Sequence, residues 1–235
     1  MRLNKYLAKC GVASRRESDN LIKSATTIVN GVLTLDPAFN VGNSDKVEFD
    51  GRIIKINYNR VVLMLNKPKG IISTMKDTHG RKTVMEFISS KIRVNPVGRL
   101  DQDSTGLILF TNDGDLHNYL THPKHQIPKE YEALVESKLS ELQVDKISKG
   151  VFIGDGEYGK ANIIKQIKIK SKILITLRLF QGKKREIRRI FRRMNVDLFS
   201  LNRTKFGNLD LGPLKTGEFR SLTNEEILFL SKSKK

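Results

Sequence analysis

The stretch Gly98–Leu116, GRLDQDSTGLILFTNDGDL, sets an apolar run between two acid-bearing ends. GLILFTN is long enough for a buried strand, and Asn112-Asp113-Gly114 is a turn signal that ends it. DLHNYL then reads as a short helix starting near Asp115, with Asn112 or Asp113 as its cap. The reading is therefore loop, buried strand, turn, helix, and it accounts for Asp113 and Asp115 as turn and helix-start chemistry. Asp101 and Asp103 are left in the entering loop, in a chain that carries 43 Lys and Arg against 25 acids.

A metal is one use for such a pair. DQDSTG opens like the calcium loop D-x-D-x-D-G, but Thr105 occupies the third ligand position and Asn112 the twelfth, where a bidentate Glu is required. A bare Asp-x-Asp still suits magnesium or manganese holding a phosphate, and a metal-dependent nuclease or transferase built on Asp101 and Asp103 would depend on divalent ions. His122 and His125 lack a nearby cysteine or carboxylate and read as exposed loop histidines. The other use is chemical. With Arg99 two residues before it, Asp101 can attack an electrophilic carbon or stabilise positive charge on a sugar. Spacing alone leaves these uses open.

The formal charge of the 235-residue chain is +18, which points to a polyanionic partner, most often nucleic acid. The charge is unevenly placed. Residues 1–50 hold seven basic and six acidic side chains, whereas residues 181–206 hold nine basic and two acidic. Within that patch, KKREIRRIFRRMN has helical periodicity: Ile187, Ile190, Phe191 and Met194 share one arc, with Arg185, Arg189, Arg192 and Arg193 roughly opposite. Arg188 falls at the border, where a guanidinium can reach inward to a carboxylate while the other arginines meet phosphates. An ordinary solvated arginine face is the competing explanation of the same pattern.

Hydrophobic residues make up 38% of the chain, a globular composition, and no apolar run approaches the ~20 residues of a membrane span. The opening MRLNKYLAKCGVASRRE lacks a secretory h-region, so a soluble cytoplasmic protein is expected. Cys10 is the only cysteine, which excludes an internal disulfide and a cysteine zinc site.

Residues 1–54 read as a small module. Leu3, Tyr6, Leu7 and Cys10 recur at helical spacing, Ser14 and Glu17 form a capping box for a second helix through about Ile22, and strands follow around Asn30-Gly31 and Asp50-Gly51 turns. Residues 55–59, KINYN, are the expected linker. In residues 60–235 strand and helix signals interleave: RVVLMLNKP as a buried strand, TVMEF as a short helix, KEYEALVES as a strand, and a Ser140–Gln143 capping box for a helix ended by Gly150. In SKILITLRLF, Ile173, Ile175, Leu177 and Leu179 alternate along one face. An α+β class follows, and the chain closes on a basic tail, SKSKK.

The opening stretch resembles the signature of the bacterial ribosomal pseudouridine synthases of the small-subunit synthase A branch, in which G-R-L-D carries the catalytic aspartate. LNKPKGIISTMKD resembles that branch's first catalytic strand, KEYEALV its tyrosine motif and FQGKKREIRRIF its last basic motif, while RLNKYLAKCGVASRRESDNLI with the later IVNG resembles an S4 RNA-binding domain. The five motifs occur in the family's order over nearly the whole chain. One departure is visible: Ala25 stands where the S4 pattern usually has Gly, and a positive φ there would cost about 1 kcal/mol.

The resemblance implies an S4-like module over 1–54 and, over 60–235, a synthase fold with a mixed, mainly antiparallel sheet flanked by helices. It implies that Asp101 acts on the ribose of a target uridine, adding at C1′ or removing the 2′ proton to give a glycal. Tyr131 would stack on the base and serve in proton transfer at C5, and Arg188 would pair with Asp101. RNA contacts are expected from Arg99, Lys183, Lys184, Arg185, Arg189 and Arg192, and from Arg15 and Arg16 through backbone phosphates. No metal or nucleotide cofactor is implied, ribosomal RNA is the only required partner, and a monomer is expected. GKKREIRRIF and LNRTKFGNLDLGPL look closer to the large-subunit members of the branch. A non-catalytic RNA-binding or ribosome-assembly factor on the same fold is the competing expectation.

Overall fold

The computed structural model describes residues 1–57, 59–90 and 92–232. Tyr58 of the expected linker and the last three residues of the basic tail lie outside the described residues. The chain forms two compact units, Met1–Arg60 with Lys91–Arg93, and Val61–Ser90 with Val94–Lys235.

In the first unit, α1 (Leu3–Lys9) and α2 (Arg15–Lys23) precede β1 (Thr27–Val29), β2 (Val32–Leu33), β3 (Val47–Phe49) and β4 (Arg52–Ile54). Ser14 caps α2 by accepting from the Glu17 N–H. The strands form an antiparallel sheet in the order β2-β1-β3-β4. Asn30-Gly31 and Asp50-Gly51 are both at positive φ, as tight hairpin turns between twisted strands require. Leu3, Leu7, Ile22, Val29, Val41 and Val47 close the core. Ala25, between α2 and β1, does adopt the left-handed conformation, at φ 59°. The strain expected of alanine there is present, and glycine would relieve it.

The second unit runs β5 (Val62–Lys67), β6 (Asn95–Val97), β7 (Thr105–Thr111), α3 (Gly114–Thr121), β8 (Lys129–Val135), α4 (Glu141–Lys149), β9 (Val151–Gly154), β10 (Glu157–Gly159), β11 (Asn162–Ile169), β12 (Lys172–Leu179), α5 (Glu186–Arg193), β13 (Leu198–Phe206), β14 (Leu209–Asp210), β15 (Phe219–Ser221) and α6 (Asn224–Lys232). The main sheet has the order β11-β12-β8-β13-β7-β5-β15, with β6 beside β7 and β14 beside β13. Its pairings are antiparallel except β13 with β7, where Asn202 faces Thr105 and Arg203 faces Gly106. This is the mixed, mainly antiparallel sheet that the sequence implied.

Strands β5 and β7 are buried on both faces, which explains their unbroken apolar runs. Leu63, Leu65, Ile108 and Phe110 enter one core with Ile147, Ile187, Ile190 and Phe191 of α4 and α5. Val62, Met64, Leu107 and Leu109 enter the other with Leu116, Tyr119 and Leu120 of α3 and Leu230 of α6. TVMEF is a 3-10 turn whose Thr83–Glu86 capping box went unread in the sequence. Asp113 caps α3 by accepting from the Asp115 and Leu116 N–H groups, and the Ser140–Gln143 box caps α4, both as read. Gly106 marks the seam between β7 and β13. Its φ is 101°, and a Cβ there would collide with the Arg203 backbone and Asn202 Oδ1.

Candidate active site

Asp101 sits on the loop from β6 to β7, and the segment that follows β5 pins that loop from below. Ser73 Oγ donates to the Leu100 carbonyl and accepts from the Leu100 N–H. The Gly70 N–H donates to the Gln102 carbonyl at 2.8 Å, and Gln102 Nε2 returns a bond to the Gly70 carbonyl at 3.1 Å. The centre of the support is Lys67, the last residue of β5, which is fully buried. Its Nζ donates to the carbonyls of Pro68, Gln102 and Ser104 at 2.9, 3.3 and 2.8 Å. Burial pushes the Lys67 ammonium down to about 8, with Asp101 and Asp103 opposing the shift. The sequence showed a Lys before a Pro at a strand end and gave no sign that its ammonium turns inward.

Arg188 closes the loop from above. Its Nη2 donates to the Asp103 carbonyl at 3.1 Å and reaches Ser104 Oγ at 3.4 Å. Its Nε lies 3.8 Å from Asp101 Oδ2, an ion-pair distance too long for a hydrogen bond. That Nε is buried without a hydrogen-bond partner among the described residues, so it is a donor aimed at the carboxylate and still unspent. The border position of Arg188 in the periodicity is realised: it is half-buried, whereas Ile187, Ile190 and Phe191 are packed under the helix and Met194 is half-buried against the same core.

Tyr131 is on β8, 7% exposed, with its ring at the edge of the core. Its cross-strand partner on β13 is Arg203, a buried arginine that the sequence reading missed. Arg203 Nε donates to the Leu107 carbonyl at 2.6 Å, Nη1 reaches the Tyr131 hydroxyl at 3.5 Å, and the guanidinium lies 5.2 Å from the Phe206 ring centre. Its place two residues after the buried Leu201 was the available signal, since period-two alternation points both inward.

Asp101, Tyr131, Arg185 and Arg188 line one narrow cavity of about 70 Å³. Arg99, Tyr131 and Lys183 also line the adjoining hollow of about 590 Å³, with Lys129 and Arg203 at its wall. The Lys129 ammonium donates to the Ile127 and Gln181 carbonyls. Burial, reinforced by Arg203, pushes it down to about 8. The site is thus a carboxylate beside an arginine, backed by an aromatic hydroxyl and opening onto a basic cleft.

The expected RNA-contacting residues divide. Arg15, Arg16, Arg99, Lys184, Arg185 and Arg192 are exposed. Arg189 and Lys183 are not free. Arg189 donates to the Ile153 and Gly154 carbonyls and pairs with Glu157 and Asp155, fastening the β9–β10 hairpin onto α5. Lys183 donates its ammonium to the Tyr158 carbonyl on the same hairpin. The helical wheel placed Arg189 opposite the core without knowing that a hairpin covers that flank. Arg185 is likewise not on the helix but before it, at φ 53°. Glu186, unremarked in the sequence, is 98% hidden and accepts from the Lys183 and Lys160 N–H groups, fixing the turn that enters α5.

A loop-borne carboxylate thus shares a cavity with an arginine and a tyrosine beside a basic cleft, an arrangement suited to chemistry on an anionic substrate. The RNA pseudouridylate synthase family matches residues 61–193, and the chain belongs to that family. It is 36% identical over 230 residues to ribosomal large subunit pseudouridine synthase B of Bacillus subtilis (strain 168), covering 96% of this chain and 93% of that one. It is 35% identical over 237 residues to the dual-specificity RNA pseudouridine synthase RluF of Escherichia coli (strain K12), covering 99% of this chain and 79% of that one. A crystal structure of a pseudouridylate synthase superposes with a TM-score of 0.69 at 26% identity, covering 98% of this chain and 99% of that one. The chain is a pseudouridine synthase, as its motifs implied. Among the described residues no helix is long and apolar enough to cross a membrane.

Proposed function

We propose that the enzyme isomerises uridine in ribosomal RNA of the large subunit, with Asp101 as the catalytic carboxylate. The observation that carries the assignment is the Asp101–Arg188 pair set in one cavity with Tyr131. The reading for large-subunit RNA is supported by the name of the Bacillus subtilis relative, which matches nearly end to end.

The reaction breaks the N1–C1′ bond, N1 keeping the electron pair, and forms a C5–C1′ bond; C5 gives up its proton and N1 takes one up, so the product is an isomer. Asp101 begins it in one of two ways: its oxygen bonds to C1′ as N1 departs, or it takes the 2′ proton and leaves a glycal. In either case negative charge leaves the carboxylate, and the buried Arg188 Nε is placed to set its orientation. Lys67 and the Ser73 hydroxyl hold the loop, so the oxygen is positioned without reorganisation. Tyr131 presents its ring to the released uracil, and its hydroxyl, in contact with Arg203, is the group at hand to pass the C5 proton. Flipping a uridine from a helix costs a few kcal/mol, which stacking and the basic cleft recover.

Residues 1–54 serve as an S4-like RNA-binding module, with Arg15 and Arg16 exposed at the first turn of α2 where backbone phosphates can approach. The enzyme acts in the cytoplasm as a monomer. Tritium release from rRNA carrying 5-tritiated uridine, in the presence of EDTA, tests the assignment. Asp101→Asn should release none while binding the RNA within a few-fold of wild type. A wild-type protein that binds but releases nothing would instead be the assembly factor of the competing expectation, and release that needs divalent ions would favour the metal reading.

A further inference from the structure

The β9–β10 hairpin has two faces of opposite character. Val151, Ile153 and Gly159 are buried, and a Cβ on Gly159 would press into Ile190 of α5. The outer face carries Phe152 and Tyr158, which are cross-strand partners with ring centres 5.6 Å apart. They are 42% and 60% exposed and lie side by side as a pair of rings. Beside them a hollow of about 780 Å³ is rimmed by Arg192, Arg193 and Asn195. Both arginines are exposed, and neither has a side-chain hydrogen bond or ion pair among the described residues. The one carboxylate on the rim, Asp155, is engaged by Arg189 at 3.2 Å.

We infer that this hairpin is a second RNA-binding subsite, on which a base of an unpaired nucleotide near the target uridine stacks while Arg192 and Arg193 take its phosphates. Aromatic rings beside unpaired guanidinium groups are the combination that single-stranded nucleic acid selects, because every base offers a π face and every linkage a charge. Aromatic residues and arginine also serve protein interfaces, so what favours RNA is charge: Arg192 and Arg193 have no carboxylate partner among the described residues and the chain carries +18. The hairpin is also coupled to the catalytic cleft. Lys183, which lines the cavity with Asp101, bonds the Tyr158 carbonyl, and Glu186 joins the Lys160 and Lys183 N–H groups. Arg189 removes the hairpin's freedom by four contacts, so a stacked base would be held at a fixed place relative to Asp101.

The inference rests on the enzyme acting on RNA, and its test separates the two. The chain has no tryptophan, so Phe152→Trp reports from this site alone. Its emission should be quenched by an oligouridine of about twelve nucleotides and by deproteinised large-subunit rRNA, but not by heparin, which has charge without bases. Equal quenching by heparin, or none by RNA, would overturn the subsite. The double variant Phe152→Ala/Tyr158→Ala should raise KM for tritium release roughly 5- to 100-fold, the loss of one stacked base, with kcat within about twofold. Phe152→Tyr/Tyr158→Phe should restore it. An unchanged KM on naked rRNA, or a defect seen only on ribosomal particles, would also overturn it, the latter assigning the face to a particle protein. If wild-type protein released no tritium at all, the proposed function would fail while the quenching experiment would still decide the subsite.

Discussion

At the scale of single residues, Lys67 is the support whose removal should be felt most widely. Lys67→Met takes the ammonium from the Pro68 and Ser104 carbonyls and leaves the Gln102 carbonyl with the Gly70 N–H alone, at a cost of about 1–3 kcal/mol, and frees the loop that carries Asp101. Urea unfolding should show the first effect and tritium release the second. The pH dependence has a definite sign. The folded state lowers Lys67 from 10.5 to about 8, so it disfavours the charged form; the penalty is full below about 8 and is relieved as pH rises toward 10.5. Wild type should therefore gain stability over Lys67→Met across that window, by up to about 3 kcal/mol. Arg188→Ala should lose turnover far more than RNA affinity, because its guanidinium spans the Asp103 carbonyl, Ser104 and Asp101; equal losses in kcat and binding would remove it from the site. Asp101, Tyr131 and Arg188, which line one cavity, could be singled out in the sequence because each stands in a motif. Lys67, Arg203 and Glu186 were not, because a charged side chain in a sequence carries no mark of which way it points.

At the scale of elements, α5 shows both what periodicity captures and what it omits. The apolar stripe at Ile187, Ile190 and Phe191 is the packed face, and the capped helices α3 and α4 began where local side-chain chemistry put them. Periodicity takes solvent to be whatever lies opposite the core, and on α5 part of that flank is a hairpin. Arg189→Ala should accordingly act on stability rather than on RNA. Amide exchange across residues 151–159 should quicken, with a loss of about 1–3 kcal/mol for the stranded carbonyls and carboxylates, and the salt slope of RNA binding should stay unchanged. Arg192→Ala should do the reverse, flattening that slope by about one unit with no change in melting temperature.

At the scale of the whole molecule, strand identities were legible locally but their order in the sheet was not. Two-residue turns announce hairpins, and β1–β2 and β3–β4 of the first unit are such neighbours, whereas the β1–β3 pairing that joins them is not. The centre of the second unit joins β7 to β13, where Thr105 and Asn202 are 97 residues apart and no local pattern relates them. Gly106→Ala should break this seam, at a cost of about 2–4 kcal/mol read from thermal unfolding, since backbone and not a flexible side chain occupies the space. The same seam has a consequence for biosynthesis. β13 is synthesised long after β7, and long-range closure of this kind is slow. Until residues 198–206 are free to fold, Asp101 has no finished sheet to stand on. The newborn protein therefore has its carboxylate long before it has the sheet that places it.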